Sequence, residues 1–221
     1  MQNMDNSTSY SSSSQNRKPF IVGLGGPSCT GKSTLAKRLA ARLGGKTISM
    51  ESYYNDLSHM PASERPKCNF DAPESLDAAL LDRHVSEFAQ GRDIEVPIYD
   101  FADHTRVSGR HELLKSAPLL IVEGILILYW PELRSNYDLK VYLEAPDDVC
   151  FQRRRVRDIV ERQRSQEFIR QQYFGTVVPM ARQFVYPTKH YADAVIDASR
   201  EISAVETELT AKVTEAMRVK A

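Results

Sequence analysis

Apolar positions in this chain follow two periods. Short apolar runs at Phe20–Leu24 and Leu119–Val122 read as buried strands, the second covered on both faces, and Leu139–Leu143 is another predicted strand. Shorter strands are predicted at Lys46–Met50, ending at Glu51, and at Ala194–Asp197. Elsewhere the spacing becomes helical. Leu35, Leu39 and Leu43 form one apolar face, which Gly44-Gly45 terminates. Leu76, Leu80, Leu81, Val85 and Phe88 form another, with Ser75 as the predicted N-cap and Gly91 as the stop. His84 falls on that face and reads as a core histidine. The stretch from Glu51 to Pro73 has no regular period. Ile94–Phe101 and Arg110–Leu114 flank a polar turn and predict a β-hairpin. Pro146-Asp147-Asp148 opens a long helical stretch toward Val185, broken near Arg162-Gln163-Arg164, and a last helix starts near Glu201. No internal repeat is present. Strands alternating with helices predict an α/β fold with a mostly parallel sheet and helices on both faces. Ligands in such folds bind at the carboxyl ends of the strands.

Composition narrows the picture. The chain has 221 residues, of which 42% are hydrophobic and 26% charged, enough for one α/β domain with a full core. Its 29 basic and 29 acidic residues balance, which argues against general affinity for nucleic acid or membranes. The apolar stretch Pro118–Trp130 is interrupted by Glu123 and too short to span a bilayer. Cys29, Cys68 and Cys150 show no metal-ligand spacing, and an odd count without a secretion signal predicts a reducing, cytoplasmic setting. Residues 1–17 are rich in Ser, Asn and Gln and predict a disordered polar tail. The predicted domain is therefore residues 18–221, with a hairpin at about 94–115 and an arginine-rich lid at about 153–165.

Between the first strand and the first helix lies Gly26-Pro27-Ser28-Cys29-Thr30-Gly31-Lys32-Ser33, the pattern G-x-x-x-x-G-K-[ST]. A glycine-rich turn opening a helix gathers backbone N–H groups and the positive end of a helix dipole around an anion. Gly26, Ser28, Cys29, Thr30, Gly31, Lys32, Ser33 and Thr34 are therefore the candidate cradle for the phosphates of ATP. Lys32 supplies a charge to the outer phosphates, and the Ser33 hydroxyl is a candidate Mg²⁺ ligand.

Phosphoryl transfer also needs metal, positive charge on the migrating group and a means of positioning the acceptor. Glu123 ends the strand Leu119–Val122, where an acid suits Mg²⁺ or its waters; an N-cap or solvated glutamate is the plainer alternative. The segment Arg153–Arg164 carries six arginines against Asp158 and Glu161. Such charge predicts a lid over a triphosphate, because the planar guanidinium suits phosphate. Closure of a lid would exclude water. Glu51, at the end of the second strand, is a candidate base for an attacking hydroxyl, or a further carboxylate near Mg²⁺.

These residues and several separated motifs resemble the uridine–cytidine kinases over roughly residues 19–198. The motifs are the P-loop, Glu51-Ser52-Tyr53-Tyr54, Asn69-Phe70-Asp71-x-Pro73, and Pro97-Ile98-Tyr99-Asp100-Phe101-x-x-His104-Thr105-Arg106. They continue with Val122-Glu123-Gly124-Ile125-Leu126, Arg157-Asp158-x-x-Glu161-Arg162-x-Arg164, Gln172-Tyr173 and Pro187-Thr188-Lys189-x-Tyr191-Ala192-Asp193. The resemblance implies transfer of the γ-phosphate of ATP to the 5′-hydroxyl of uridine or cytidine. It implies that Asp71 binds the ribose hydroxyls with Arg154 as partner. Tyr99, Phe101 and His104 would hold the pyrimidine, with Tyr54, Arg164 and Gln172 as further nucleoside contacts. Arg157 and Arg162 would reach phosphates, and Ser33 and Glu123 would lie in the Mg²⁺ environment. It also implies a homo-oligomer, a tetramer.

Three positions depart from the family pattern. Glu51 stands where the family has aspartate, which moves the carboxylate outward by one methylene. Gln163 replaces the glycine of an Arg-Gly-Arg turn, a position where glycine gives easy access to positive φ. Ala198-Ser199-Arg200 replaces a Pro-Arg-Gly loop near the adenine. These keep two alternatives open. One is a kinase of the phosphoribulokinase, pantothenate kinase or nicotinamide riboside kinase type; the other is a nucleotide-binding, kinase-like protein with weak turnover.

Overall fold

Residues 18–220 are described by a computed structural model, so the polar segment 1–17 lies outside the described residues. The strands are β1 (Phe20–Gly25), β2 (Lys46–Ser49), β3 (Ile94–Asp100), β4 (Thr105–Leu114), β5 (Leu119–Glu123), β6 (Leu139–Glu144) and β7 (Ala194–Asp197). The helices are α1 (Lys32–Leu43), α2 (Ala78–Ala89), α3 (Pro131–Ser135), α4 (Asp147–Arg162), α5 (Gln166–Gln172), α6 (Val178–Met180) and α7 (Ile202–Lys220). Five strands form one parallel sheet in the order β2–β5–β1–β6–β7, while β3 and β4 form a separate antiparallel hairpin.

Side chains alternate across a strand, and the apolar runs therefore feed two cores. Phe20, Val22, Leu24, Leu119 and Ile121 pack with Leu35 and Leu39 of α1 and Val205, Leu209 and Val213 of α7. Ile21, Ile48, Leu120 and Val122 pack on the other face with Leu81, Val85 and Phe88 of α2 and Leu133 of α3. Each such side chain contributes about 1.5–3 kcal/mol on burial. The sheet is thus a rigid plate whose carboxyl edge carries the loops after β1, β2, β5 and β6.

Several element boundaries differ from the sequence reading. The N-cap of α2 is Asp77, whose carboxylate accepts the Leu80 amide at 3.0 Å. Ser75 instead lies in a single tight turn, Pro73–Ser75, and its hydroxyl donates to the Ala72 carbonyl; the proline starts that turn before the helix can begin. Leu76 then bridges to Tyr54 rather than joining the helix. β2 stops at Ser49, and Met50–Tyr53 form a 3₁₀ turn, so Glu51 sits just past the strand rather than at its end. The second hairpin arm begins at Thr105, well before Arg110, and Phe101 lies beyond the first arm. After α5 the chain stays helical to Val185 through wide π-type turns.

Gly26 shows why the first loop can form. Its φ is +134°, and a Cβ there would lie 2.1 Å from the Leu143 carbonyl oxygen. Only glycine lets the chain leave β1 this close to β6. Replacement Gly26→Ala should destabilise the fold by roughly 2–4 kcal/mol through strain and overpacking. A melting temperature lowered by about 5–15 °C is expected, read by thermal denaturation; an unaltered melt would refute the close-approach argument.

Candidate active site

Parallel pairing aligns three strand tips. Leu24 and Ser49 both stand in register with Glu123. The P-loop follows directly after β1. Its Pro27 carbonyl accepts hydrogen bonds from Thr30 Oγ1 at 3.0 Å and from Lys32 Nζ at 2.7 Å, folding the loop around the lysine. Ser33 Oγ donates to Glu123 Oε1 at 3.0 Å. Burial lowers the Lys32 pKa, with Glu123 opposing, and burial raises the Glu123 carboxyl, with Lys32 opposing. Gly31 and Cys29 both adopt positive φ, 89° and 67°, which turns backbone amides inward. Thr34 is exposed in the first turn of α1.

The arginine-rich segment is mostly helix α4. Cys150, Arg154 and Asp158 repeat every four residues on its inner face. The wholly buried Asp158 carboxylate gathers four guanidiniums. Arg157 Nε and Nη2 each lie 2.8 Å from Oδ1, Arg162 Nε lies 3.7 Å from Oδ1, and Arg154 Nε and Arg164 Nη1 lie 3.5 and 3.6 Å from Oδ2. One carboxylate cannot neutralise four cations, so the cluster is in net excess of positive charge. Arg154, 94% buried, also reaches Ser28 Oγ at 3.3 Å and Gln172 Oε1 at 3.0 Å; Arg164 donates to the same Gln172 oxygen at 3.1 Å. Arg153 points elsewhere, to the Ala198 carbonyl. Gln163 takes the left-handed conformation at φ 52°, and the amides of Gln163 and Arg164 both return to the Asp158 carbonyl. The turn therefore persists without glycine, at the cost of local strain.

An aromatic arm lines the same cavity as the arginines. Tyr54 lies 5.1 Å from Phe70 and 5.5 Å from Tyr99, Tyr99 lies 5.3 Å from Phe101, and Phe70 stacks on His104 at 4.8 Å, all between ring centroids. The buried Tyr99 hydroxyl has no protein partner, and burial pushes its pKa up to about 12, so it remains a neutral donor. His104 takes a positive φ of 55°, and burial together with Arg164 keeps its imidazole neutral at pH 7. Burial raises the Asp71 carboxyl pKa, opposed by Arg154 and reinforced by Glu51.

A cavity of about 830 Å³ joins these groups. Its wall holds Glu51, Asp71 and Tyr54, the hairpin residues Tyr99, Phe101 and His104, Ser28 of the P-loop, and Arg154, Arg157, Arg162, Arg164 and Gln172. Beside it lie Glu123, at the tip of β5, and Lys32 and Ser33, at the start of α1. Glu51 is exposed toward this space rather than hydrogen-bonded by its carboxylate. The sequence reading singled out no role for Phe70 or Asp158. Phe70 precedes Asp71 directly, and Asp158 is the only acid among the four clustered arginines between Arg154 and Arg164 that the helical period turns inward. Those were the available signals.

A model of the "Phosphoribulokinase / Uridine kinase family" matches residues 21–204. The chain belongs to that family. It is 42% identical over 180 residues to a uridine kinase of Chloroflexus aurantiacus, covering 80% of this chain and 86% of the relative. It is 40% identical over 204 residues to a uridine kinase of Ligilactobacillus salivarius, covering 91% and 95%. Among solved structures, a D-glycerate 3-kinase from Cryptococcus neoformans superposes with a TM-score of 0.60 at 16% identity, covering 86% of this chain and 91% of that one; this likeness concerns the fold.

Removing the hub charge tests the cluster. Asp158→Asn leaves four guanidiniums without their carboxylate and should cost about 3–5 kcal/mol. The melting temperature should fall by about 10 °C and recover in part with added inorganic triphosphate. A variant as stable as the parent would show that the arginines do not depend on this acid.

Proposed function

We propose that this protein transfers the γ-phosphate of ATP to the 5′-hydroxyl of uridine or cytidine. One observation carries the reading: a single cavity is lined by Ser28 of the P-loop and four guanidiniums, by Asp71, by the aromatic rings of the hairpin and by Glu51. The kinship with uridine kinases at about 40% identity over most of the chain supports it.

The residues divide the work. Lys32 and the amides of the Gly26–Ser33 loop bind the β- and γ-phosphates, exchanging the Pro27 carbonyl for phosphate oxygens. Arg157 and Arg162 exchange part of their contact with Asp158 for the migrating charge, and Arg154 ties the loop to Gln172. The vicinal ribose hydroxyls donate to the ionised Asp71. The base lies in the box of Tyr54, Phe70 and Phe101, with the Tyr99 hydroxyl and neutral His104 facing its polar edge. Glu51 accepts the proton of the attacking hydroxyl.

Mg²⁺ fits the oxygen donors gathered at the strand tips, Ser33 Oγ and the Glu123 carboxylate at 3.0 Å with Glu51 beside them. When bound there it would offset charge on the outer phosphates. A homo-oligomer in a reducing cytoplasm belongs to the same reading. The exposed apolar residues Val156, Ile159 and Val160 of α4 support self-association, and the free thiols of Cys29, Cys68 and Cys150 support the compartment.

ADP release with ATP, Mg²⁺ and a nucleoside panel tests the acceptor. Turnover with uridine or cytidine is expected; turnover with neither would refute the assignment. Glu51→Ala should lower kcat by about 10²–10⁴-fold with ATP affinity preserved, whereas Glu51→Asp should keep or raise it. An Ala variant of full kcat would remove Glu51 from the mechanism.

Asp71 generates a pH prediction. Its folded-state pKa is raised by burial, so protonation sets in at a higher pH than for an ordinary aspartate. The nucleoside KM should therefore rise as pH falls through that raised value. Asp71→Asn should raise the nucleoside KM by roughly 10–100-fold and abolish that acidic limb. Because ionising a carboxyl of raised pKa costs stability above its folded pKa, the Asn variant should be at least as stable at pH 7. A KM profile unchanged by the substitution would contradict the role.

A further inference from the structure

One guanidinium joins the aromatic arm to the turn that carries Glu51. Arg106 is the cross-strand partner of Tyr99 in the hairpin. Its Nε donates to the Tyr54 carbonyl at 3.0 Å, its Nη2 to the Tyr53 carbonyl at 3.2 Å, and its Nη1 to Asp77 Oδ2 at 3.2 Å. Its backbone amide donates to Asp56 Oδ1 at 3.2 Å. Tyr53 and Tyr54 are the second and third residues after Glu51, and Met50–Tyr53 is the 3₁₀ turn itself. The other side of this turn is also pinned, because the buried Tyr53 hydroxyl lies 2.9 Å from His84 Nδ1 on α2.

We propose that Arg106 is a positioning residue, coupling the nucleoside-holding hairpin to the placement of the Glu51 carboxylate. The proposal rests on Glu51 acting as the base. The physical argument is one of linkage. β3 and β4 are not hydrogen-bonded into the main sheet, so the arm needs another tie to the strand tips. The planar fork of an arginine can hold two successive carbonyls and a carboxylate at once, which a lysine cannot. Ring contacts carry the same link, since Tyr99 packs on Tyr54, whose carbonyl Arg106 holds. An arm closed on a nucleoside therefore fixes the backbone immediately after Glu51. The fold itself does not hang on this clamp: the Tyr53 carbonyl keeps the Asp77 amide at 3.0 Å, and Asp77 keeps its capping bond to Leu80.

The test is a double-substitution series read by steady-state kinetics with uridine and by thermal melting. Arg106→Gln should lower kcat by about 10–100-fold, as expected for a carboxylate displaced by about 1 Å, while the ATP KM changes less than about twofold. Arg106→Lys, which keeps the charge beside Asp77 but cannot span both carbonyls, should lose part of the same kcat and remain stable; it carries the test if the Gln variant does not fold. In a Glu51→Ala background, Arg106→Gln should have little further effect on kcat, because residues acting as a unit are not additive. Unchanged kcat in both Arg106 variants would overturn the proposal, and so would equal fold-losses in the two backgrounds, which mark a general structural role. Glu51→Ala alone, with Arg106 intact, reports on the base assignment, so the two failures are distinguishable.

Discussion

Parallel pairing of β5 with β1 on one side and β2 on the other sets Leu24, Glu123 and Ser49 abreast at one edge of the sheet. Everything chemical is arranged from that edge. It brings Ser33 within hydrogen-bond distance of Glu123 across ninety residues of sequence, and it delivers the P-loop and the Glu51 turn to adjacent positions. The plate beneath is held by two apolar faces, each covered by helices. The tips therefore move little relative to each other. A site that must orient a triphosphate and an alcohol in line gains most from such rigidity.

Over the plate stand two groups of opposite character. The arginine cluster is positive in excess and organised by one buried acid, Asp158. The arm that lines the same cavity is aromatic, with an unpartnered tyrosine hydroxyl and an imidazole whose pKa burial lowers. A ligand with an anionic end and a flat, hydrogen-bonding end matches both. Burial also works against the ionised forms of Lys32, Glu123 and Asp71. Opposite charges nearby, Glu123 beside Lys32, Lys32 beside Glu123 and Arg154 beside Asp71, offset that cost only in part, as expected where function takes precedence over stability.

Two departures from the family pattern resolve differently. Gln163 adopts the left-handed conformation that glycine would have taken more readily, and the turn is retained because the Gln163 and Arg164 amides both anchor on the Asp158 carbonyl. Glu51 lies on a 3₁₀ turn just past β2, facing the cavity. Its carboxylate thus extends into open space at the cavity wall. Here the backbone after the carboxylate is held by Arg106, which makes its placement a property of the hairpin as well as of the sheet.

The sequence alone determined the elements with strong local signals: the buried strands, the helix ended by Gly44, and the P-loop, whose glycines, lysine and serine need no partner to be recognised. Candidate residues such as Asp71, His104, Arg154 and Gln172 were legible because each lies in a short contiguous motif. What the sequence left open was whatever depends on distance through space. Asp77 displaced Ser75 as the cap of α2 because Pro73 forces a separate turn first. The gathering of four arginines on Asp158, the stacking of Phe70 on His104, and the reach of Arg106 to Tyr53 and Tyr54 are contacts made after the sheet and hairpin have packed. Local propensity and motif spacing encode neighbours along the chain; only tertiary packing decides which side chains meet across it.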